Sequence, residues 1–159
     1  MKIGATGHQH RLGLDWTWAA EALDLVLAEQ PAPLIGFSAL AAGADQLFAR
    51  TVLSRGGRHV ALIPLKEYER CFDEPDDLTA YRELLSESEI VQLAHPGPTE
   101  AAFLAAGRQV VERSDLLVAI WDGQSAVGRG GTADIVAYAR ESGRPVVHLN
   151  PFSKVIRYL

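Results

Sequence analysis

The chain has 159 residues, 48% of them hydrophobic and 22% charged, the composition of one globular domain and not of a disordered segment. The net charge of −5, with little lysine and no Lys/Arg run, argues against a nucleic-acid partner, which ordinarily shows as a basic patch or stripe. No apolar run approaches the ~18 residues needed to span a bilayer, the first residues lack the pattern of a signal peptide, and the lone Cys71 excludes an internal disulfide, so a reducing, cytoplasmic setting without membrane contact is expected.

Short β-rich runs alternate with helical ones along the chain. Lys2 to Thr6 reads as a strand closed by Gly7. Asp15 to Glu29 carries Ala19, Leu23, Val26 and Leu27 at helical spacing, with Asp15 as N-cap and Pro31 and Pro33 as the stop. A strand over Leu34 to Ser38, a helix over Ala42 to Arg55 ended by Gly56-Gly57, and an apolar strand over His59 to Leu65 follow. Further on, helices are expected over Asp77–Glu87, Ala101–Arg113 and Thr132–Ser142, and strands over Ile90–Leu93, Leu116–Trp121 and, last, Pro145–Leu149. Apolar strands alternating with helices imply a parallel sheet covered on both faces. The expectation is a single α/β domain over residues 1–159: a three-layer, Rossmann-like open parallel sheet. In such sheets ligands bind beyond the carboxyl ends of the strands.

The unusual residues cluster in the segments that follow strands. After the fifth strand comes Trp121-Asp122-Gly123, and then Gly128-Arg129-Gly130-Gly131-Thr132 leads into a helix. Glycines let a ligand approach the main chain closely, and free N–H groups at a helix start suit a phosphate. Thr132 can cap that helix or donate to a phosphate oxygen, and Arg129 can add a charged contact. Trp121 either stacks on a base or closes the core. Asp122 either accepts from a ribose hydroxyl or caps a turn. After the first strand, Thr6 and Gly7 suit close approach, His8 lies beside them, and Arg11 is either an anion contact or a solvated arginine. After the second strand, Ser38 is expected to face the crevice. Gly43 and Asp45 stand at a helix start, where Asp45 serves either ligand or helix dipole. Tyr68 and Phe72 either cover a ligand or pack the core.

No cofactor or metal is expected. Gly123 to Gly128 has P-loop spacing, but Arg129-Gly130 stands where Lys and Ser/Thr belong, and the first loop lacks G-x-G-x-x-G. His8 and His10 form only an H-x-H pair, without the spacing of a metal site.

Three segments together resemble the SLOG superfamily, the Rossmann-like group that includes LOG-type nucleoside-phosphate hydrolases and DprA-type DNA-binding proteins. They are Gly4-Ala5-Thr6-Gly7-His8, Ala42-Gly43-Ala44-Asp45, and Asp115 through Asp134 centred on Gly130-Gly131-Thr132. The resemblance implies a nucleotide-binding crevice and a homodimer, for which Trp16 and Trp18 are candidate contacts if they are not core. It also exposes two departures: Ile135 stands where the hydrolases carry a catalytic Glu, and Ala106 where they carry an Arg, with Arg108 offset. The expected function is therefore binding of a nucleotide or sugar phosphate by a sensor or binding module. The alternative is a hydrolase that splits nucleoside 5′-monophosphates into base and ribose phosphate, with Asp134 as its carboxylate.

Overall fold

The computed structural model describes residues 1–94, 97–125 and 131–159. Its strands are β1 (Lys2–Gly7), β2 (Ile35–Ser38), β3 (Arg58–Ile63), β4 (Glu89–Gln92), β5 (Leu116–Ile120), β6 (Val146–Asn150) and β7 (Val155–Tyr158). The helices are α1 (Trp16–Ala28), α2 (Ala44–Ser54), α3 (Pro75–Ser86), α4 (Thr99–Arg113) and α5 (Thr132–Glu141). One sheet runs in the order β4-β3-β2-β1-β5-β6-β7. Pairings from β4 through β6 are all parallel, and β7 alone runs antiparallel, along β6. The expected Rossmann-like three-layer sheet is present.

Residue alternation decides which helices lie on which face. On β5, Leu116, Val118 and Ile120 point to the layer containing α1 and α2, where Leu23, Leu27, Phe48 and Val52 meet them. Leu117 and Ala119 point the other way, to Val110 and Val111 of α4 and Ile135 and Val136 of α5. On β3, Ala61 and Ile63 join Leu84 of α3 on the first face, while Val60 and Leu62 join the second cluster. Because both faces are covered, the central strands are apolar throughout, which is why they read as continuous runs. Asp15 caps α1 as expected, accepting from Trp18 N–H at 2.9 Å. Trp16 and Trp18 are half-buried against the first cluster.

Pro145–Leu149 was expected to be the last strand, and β7 corrects this. Asn150 Oδ1 accepts the N–H groups of Phe152 and Ser153 at 3.0 and 3.1 Å, and Lys154 takes φ 56°. The chain turns back there and adds Val155–Tyr158 to the sheet edge. This strand leaves Ile156 and Tyr158 exposed, so it has no apolar pattern by which to be recognised. A 3-10 turn over Tyr68–Cys71, also unanticipated, follows β3.

The sheet order changes direction at the β1–β5 pair, since β2 to β4 lie on one side and β6 and β7 on the other. The carboxyl ends of β1 and β5 come level there, with Gly7 beside Ile120.

Candidate functional site

Gly7 makes the junction possible. A Cβ on it would collide with Ala44 Cβ and with the carbonyl of Ile120. Without that Cβ, β1, β5 and the start of α2 converge: His8 N–H donates to Ile120 O at 2.9 Å, and Ala44 N–H to His8 O at 3.0 Å. Gly43 has φ 82°, and a Cβ there would lie 2.6 Å from His8 O. Both glycines are thus fixed by close approach of main chain to main chain.

Next to this junction opens a cavity of about 290 Å³, walled by Thr6, Gly7, Asp45, Tyr68, Phe103 and Thr132, among others. That is near the lower end of small-molecule sites, about 300 Å³. A second hollow shares Gly7, Gln9, Gly131 and Thr132 with it and extends to His8, Arg11, Trp121 and Asp122. The two form one crevice with unlike halves.

The first half is largely apolar. Phe103, Ala106, Gly107 and Val110 present one side of α4, and Ile135 reaches it from α5. A Cβ on Gly107 would run into the Ile135 side chain, so the glycine lets α5 seat closely. Asp45 is the ionisable outlier. It is 8% exposed, and its Oδ2 accepts Ala39 N–H at 3.0 Å. Burial pushes its pKa up to about 7, against the lowering effect of the Ala39 and Ala41 N–H groups. Its carboxyl is used on the loop before α2, where Leu40 has φ 57°. Tyr68 faces the same space, and burial, followed by the nearby Asp45 charge, raises its phenol pKa. Cys71 and Phe72 complete the rim.

The second half is ion-paired. Asp122 accepts from Arg11 Nη1 at 2.6 Å and from Gln124 N–H at 3.0 Å, and lies 3.2 Å from His8 Nε2. Burial is the largest single influence on Asp122 and raises its pKa, but Gln124 N–H, His8 and Arg11 together outweigh it, so the net shift is downward. His8 Nε2 is also 3.0 Å from Arg11 and 3.3 Å from Asp122 N, and the Arg11 guanidinium lies 5.9 Å above the Phe152 ring. His10 pairs with Asp77 at 2.7 Å.

The structure therefore gathers Thr6, Gly7, His8, Arg11, Asp45, Trp121, Asp122, Gly131 and Thr132 around one crevice. Gly128, Arg129 and Gly130 lie outside the described residues. Gly43 and Gly123, both at φ 82°, shape the loops without appearing on the walls. Trp121 belongs to the core with its edge on the crevice: its Nε1 donates to Gln124 O at 2.9 Å, and its ring packs on His148 with centroids 4.4 Å apart.

Ser38 corrects its expected orientation. It is fully buried, 3.0 Å from His59 Nε2, and it accepts Leu40 N–H. It does not line the crevice. His59 Nδ1 meets Ser88 Oγ at 2.8 Å, and burial lowers the His59 pKa to about 4. The partners of His59 lie 21 and 29 residues away in sequence, which hid the network from sequence reasoning. Asp134 sits in the first turn of α5 but is not among the crevice walls, whereas Ile135 is. Phe103 and Gln9 were missed. The spacing of Phe103, Ala106, Gly107 and Val110 is helical, and on a helix that pattern is indistinguishable from ordinary core.

No family model matches the chain, and no curated protein matches it. Solved structures do. DNA processing protein A from Helicobacter pylori, described for its single-stranded DNA binding mode, aligns with TM-score 0.68 at 19% identity, over 94% of this chain and 65% of that one. The likeness is one of fold. DNA processing protein A from Streptococcus pneumoniae gives TM-score 0.66 at 18% identity, covering 94% and 50%. TM1055, a structural-genomics target, gives 0.57 at 20% identity, covering 91% and 71%. The chain thus spans between half and two thirds of the DprA chains it matches. Among the described residues, no cluster of His, Cys, Asp and Glu is arranged to hold a metal, and no helix is long and apolar enough to cross a membrane.

Proposed function

We propose that the chain binds a nucleotide or nucleotide-derived ligand across this crevice, as a binding or sensing module. The observation that carries the reading is the division of the crevice at the β1–β5 switch point. A phosphate suits the half with Arg11, His8 and the α5 start at Gly131-Thr132. The uncharged part of the ligand suits the half with Tyr68, Phe72 and Phe103. Catalysis is the weaker alternative. Asp45 is the carboxyl on the apolar wall, and Ile135 occupies the place where the resembling hydrolases carry their acid.

The DprA likeness favours a second reading, since the Helicobacter pylori protein binds single-stranded DNA. A strand laid over the crevice would place one base in the apolar half. Against it stand the net charge of −5 and the scarcity of cations on the described walls, where Arg11 is the one Lys or Arg.

One experiment separates the three. Nucleoside mono-, di- and triphosphates, ribose phosphates and cyclic dinucleotides are screened by thermal shift, with chromatography for released base. A labelled oligonucleotide is titrated by anisotropy at low salt. A ligand at 100 times its Kd adds about 2.7 kcal/mol. Stabilisation without base release is the expected result. Base release would make the chain a hydrolase, and oligonucleotide binding with no nucleotide response would replace the small-ligand reading.

A further inference from the structure

The apolar half of the crevice has a composition that selects among ligands. Its described walls hold aromatic rings and small side chains, no Lys or Arg, and the nearly buried carboxyl of Asp45. An anionic phosphate placed there would meet a nearly buried carboxyl, with no cation among the described walls to offset it. A flat heterocycle meets rings on which to pack: Tyr68, Phe72 and Phe103 lie within one aromatic group, with Tyr68 centroids 5.3 Å from Phe72 and 6.1 Å from Phe103.

We propose that Asp45 is the specificity-determining residue of the crevice: it accepts a hydrogen bond from the exocyclic amino group of a nucleobase, so that amino-bearing bases are held and bases lacking the group are rejected. The proposal rests on the nucleotide reading above.

Asp45 is fixed for this role. Its Oδ2 is pinned by Ala39 N–H at 3.0 Å, and it stands in the first turn of α2, whose first residue, Ala44, is held by His8 O. The carboxyl therefore cannot swing away without releasing the loop after β2. Above its pKa of about 7 the carboxyl only accepts hydrogen bonds, so an amino N–H finds a partner there and a base carbonyl does not. A base without that group leaves a desolvated carboxyl oxygen unanswered, and an unanswered buried polar group is what makes such sites discriminate strongly. Among the described walls of this half there is no Lys or Arg to compensate the carboxyl.

The test uses matched ligands on the full chain, measured by calorimetry or ligand fluorescence. GMP and IMP differ by one amino group, and CMP and UMP exchange amino for carbonyl. The amino-bearing member of each pair is expected to bind at least about tenfold more tightly. In Asp45→Asn the amide oxygen can take over Ala39 N–H and turn its NH₂ toward the ligand. The CMP preference over UMP then disappears or reverses, which a merely loosened pocket would not produce. Equal affinity within both pairs overturns the role of Asp45 while leaving nucleotide binding intact. Failure of all four nucleotides to bind overturns the nucleotide reading and this inference with it. If Asp45→Asn does not fold, the two wild-type comparisons decide the question alone.

Discussion

The two halves of the crevice share Gly7, Gln9, Gly131 and Thr132 and treat charge in opposite ways. In the half bounded by the segments after β1 and β5 and the start of α5, Asp122 is answered by Arg11, His8 and a backbone N–H, with Arg11 53% exposed to solvent. In the half bounded by α2 and α4, Asp45 is nearly buried, answered by main-chain N–H alone, and its pKa rises to about 7. Water access is the difference. An exposed pair is screened and contributes little to stability but remains available to an incoming anion. A buried group keeps its electrostatic consequences undiluted, which makes it costly and selective. In the proposed reading, attraction belongs to the wet half and discrimination to the dry one.

The comparison breaks most completely at the point the halves share. Gly7→Val puts side-chain atoms against Ala44 and the Ile120 carbonyl. We expect a loss of about 3 kcal/mol, read from the denaturation midpoint, together with loss of all ligand response.

Stability against pH sharpens the contrast next. His59 titrates at 6.5 when unfolded and at about 4 when folded, so the unfolded chain binds more protons between those values and stability rises with pH through that window. Asp45 titrates at 3.8 unfolded and at about 7 folded, so the folded chain binds more protons between those values and stability falls as pH rises. The two slopes oppose one another in the wild type. Asp45→Asn removes one of them, and its stability should then rise by up to about 3 kcal/mol from pH 4 to 6.5, measured by chemical denaturation at several pH values. An unchanged profile would remove Asp45 as the dry, titrating member of the pair.

Smaller effects belong to the wet half. Arg11→Ala should shift stability by no more than about 0.5 kcal/mol, because the pair is exposed. It should nevertheless weaken phosphate-bearing ligands about tenfold, roughly 1.4 kcal/mol. A large fall in stability with unaltered affinity would reverse the roles assigned to the halves. The smallest signal comes from Cys71, an exposed thiol on the rim of the dry half whose pKa is raised by burial first and by Asp73 second. Its alkylation by iodoacetamide should be slow, and slower again with a nucleotide bound. A rate indifferent to ligand would place the ligand outside this half.

The sequence by itself determined the α/β alternation, the strands buried on both faces, the cap at Asp15 and the loops in which chemistry should lie. Each of these depends on neighbours along the chain: 3.6-residue and near-continuous apolar patterns, cap residues, glycines beside helix starts. Thr6, Gly7, Arg11, Asp122 and Thr132 were legible because strand ends in a parallel sheet converge whatever their spacing in sequence. Only the tertiary structure decided that Ser38 turns inward to His59, that Ile135 and not Asp134 reaches the wall, that β7 reverses onto β6, and that the crevice has a wet and a dry side. Those outcomes depend on which distant side chain shares a desolvated space. Burial is a property of the assembled layers, and no local pattern around Asp45 distinguishes a solvated carboxylate at a helix start from one buried near Tyr68.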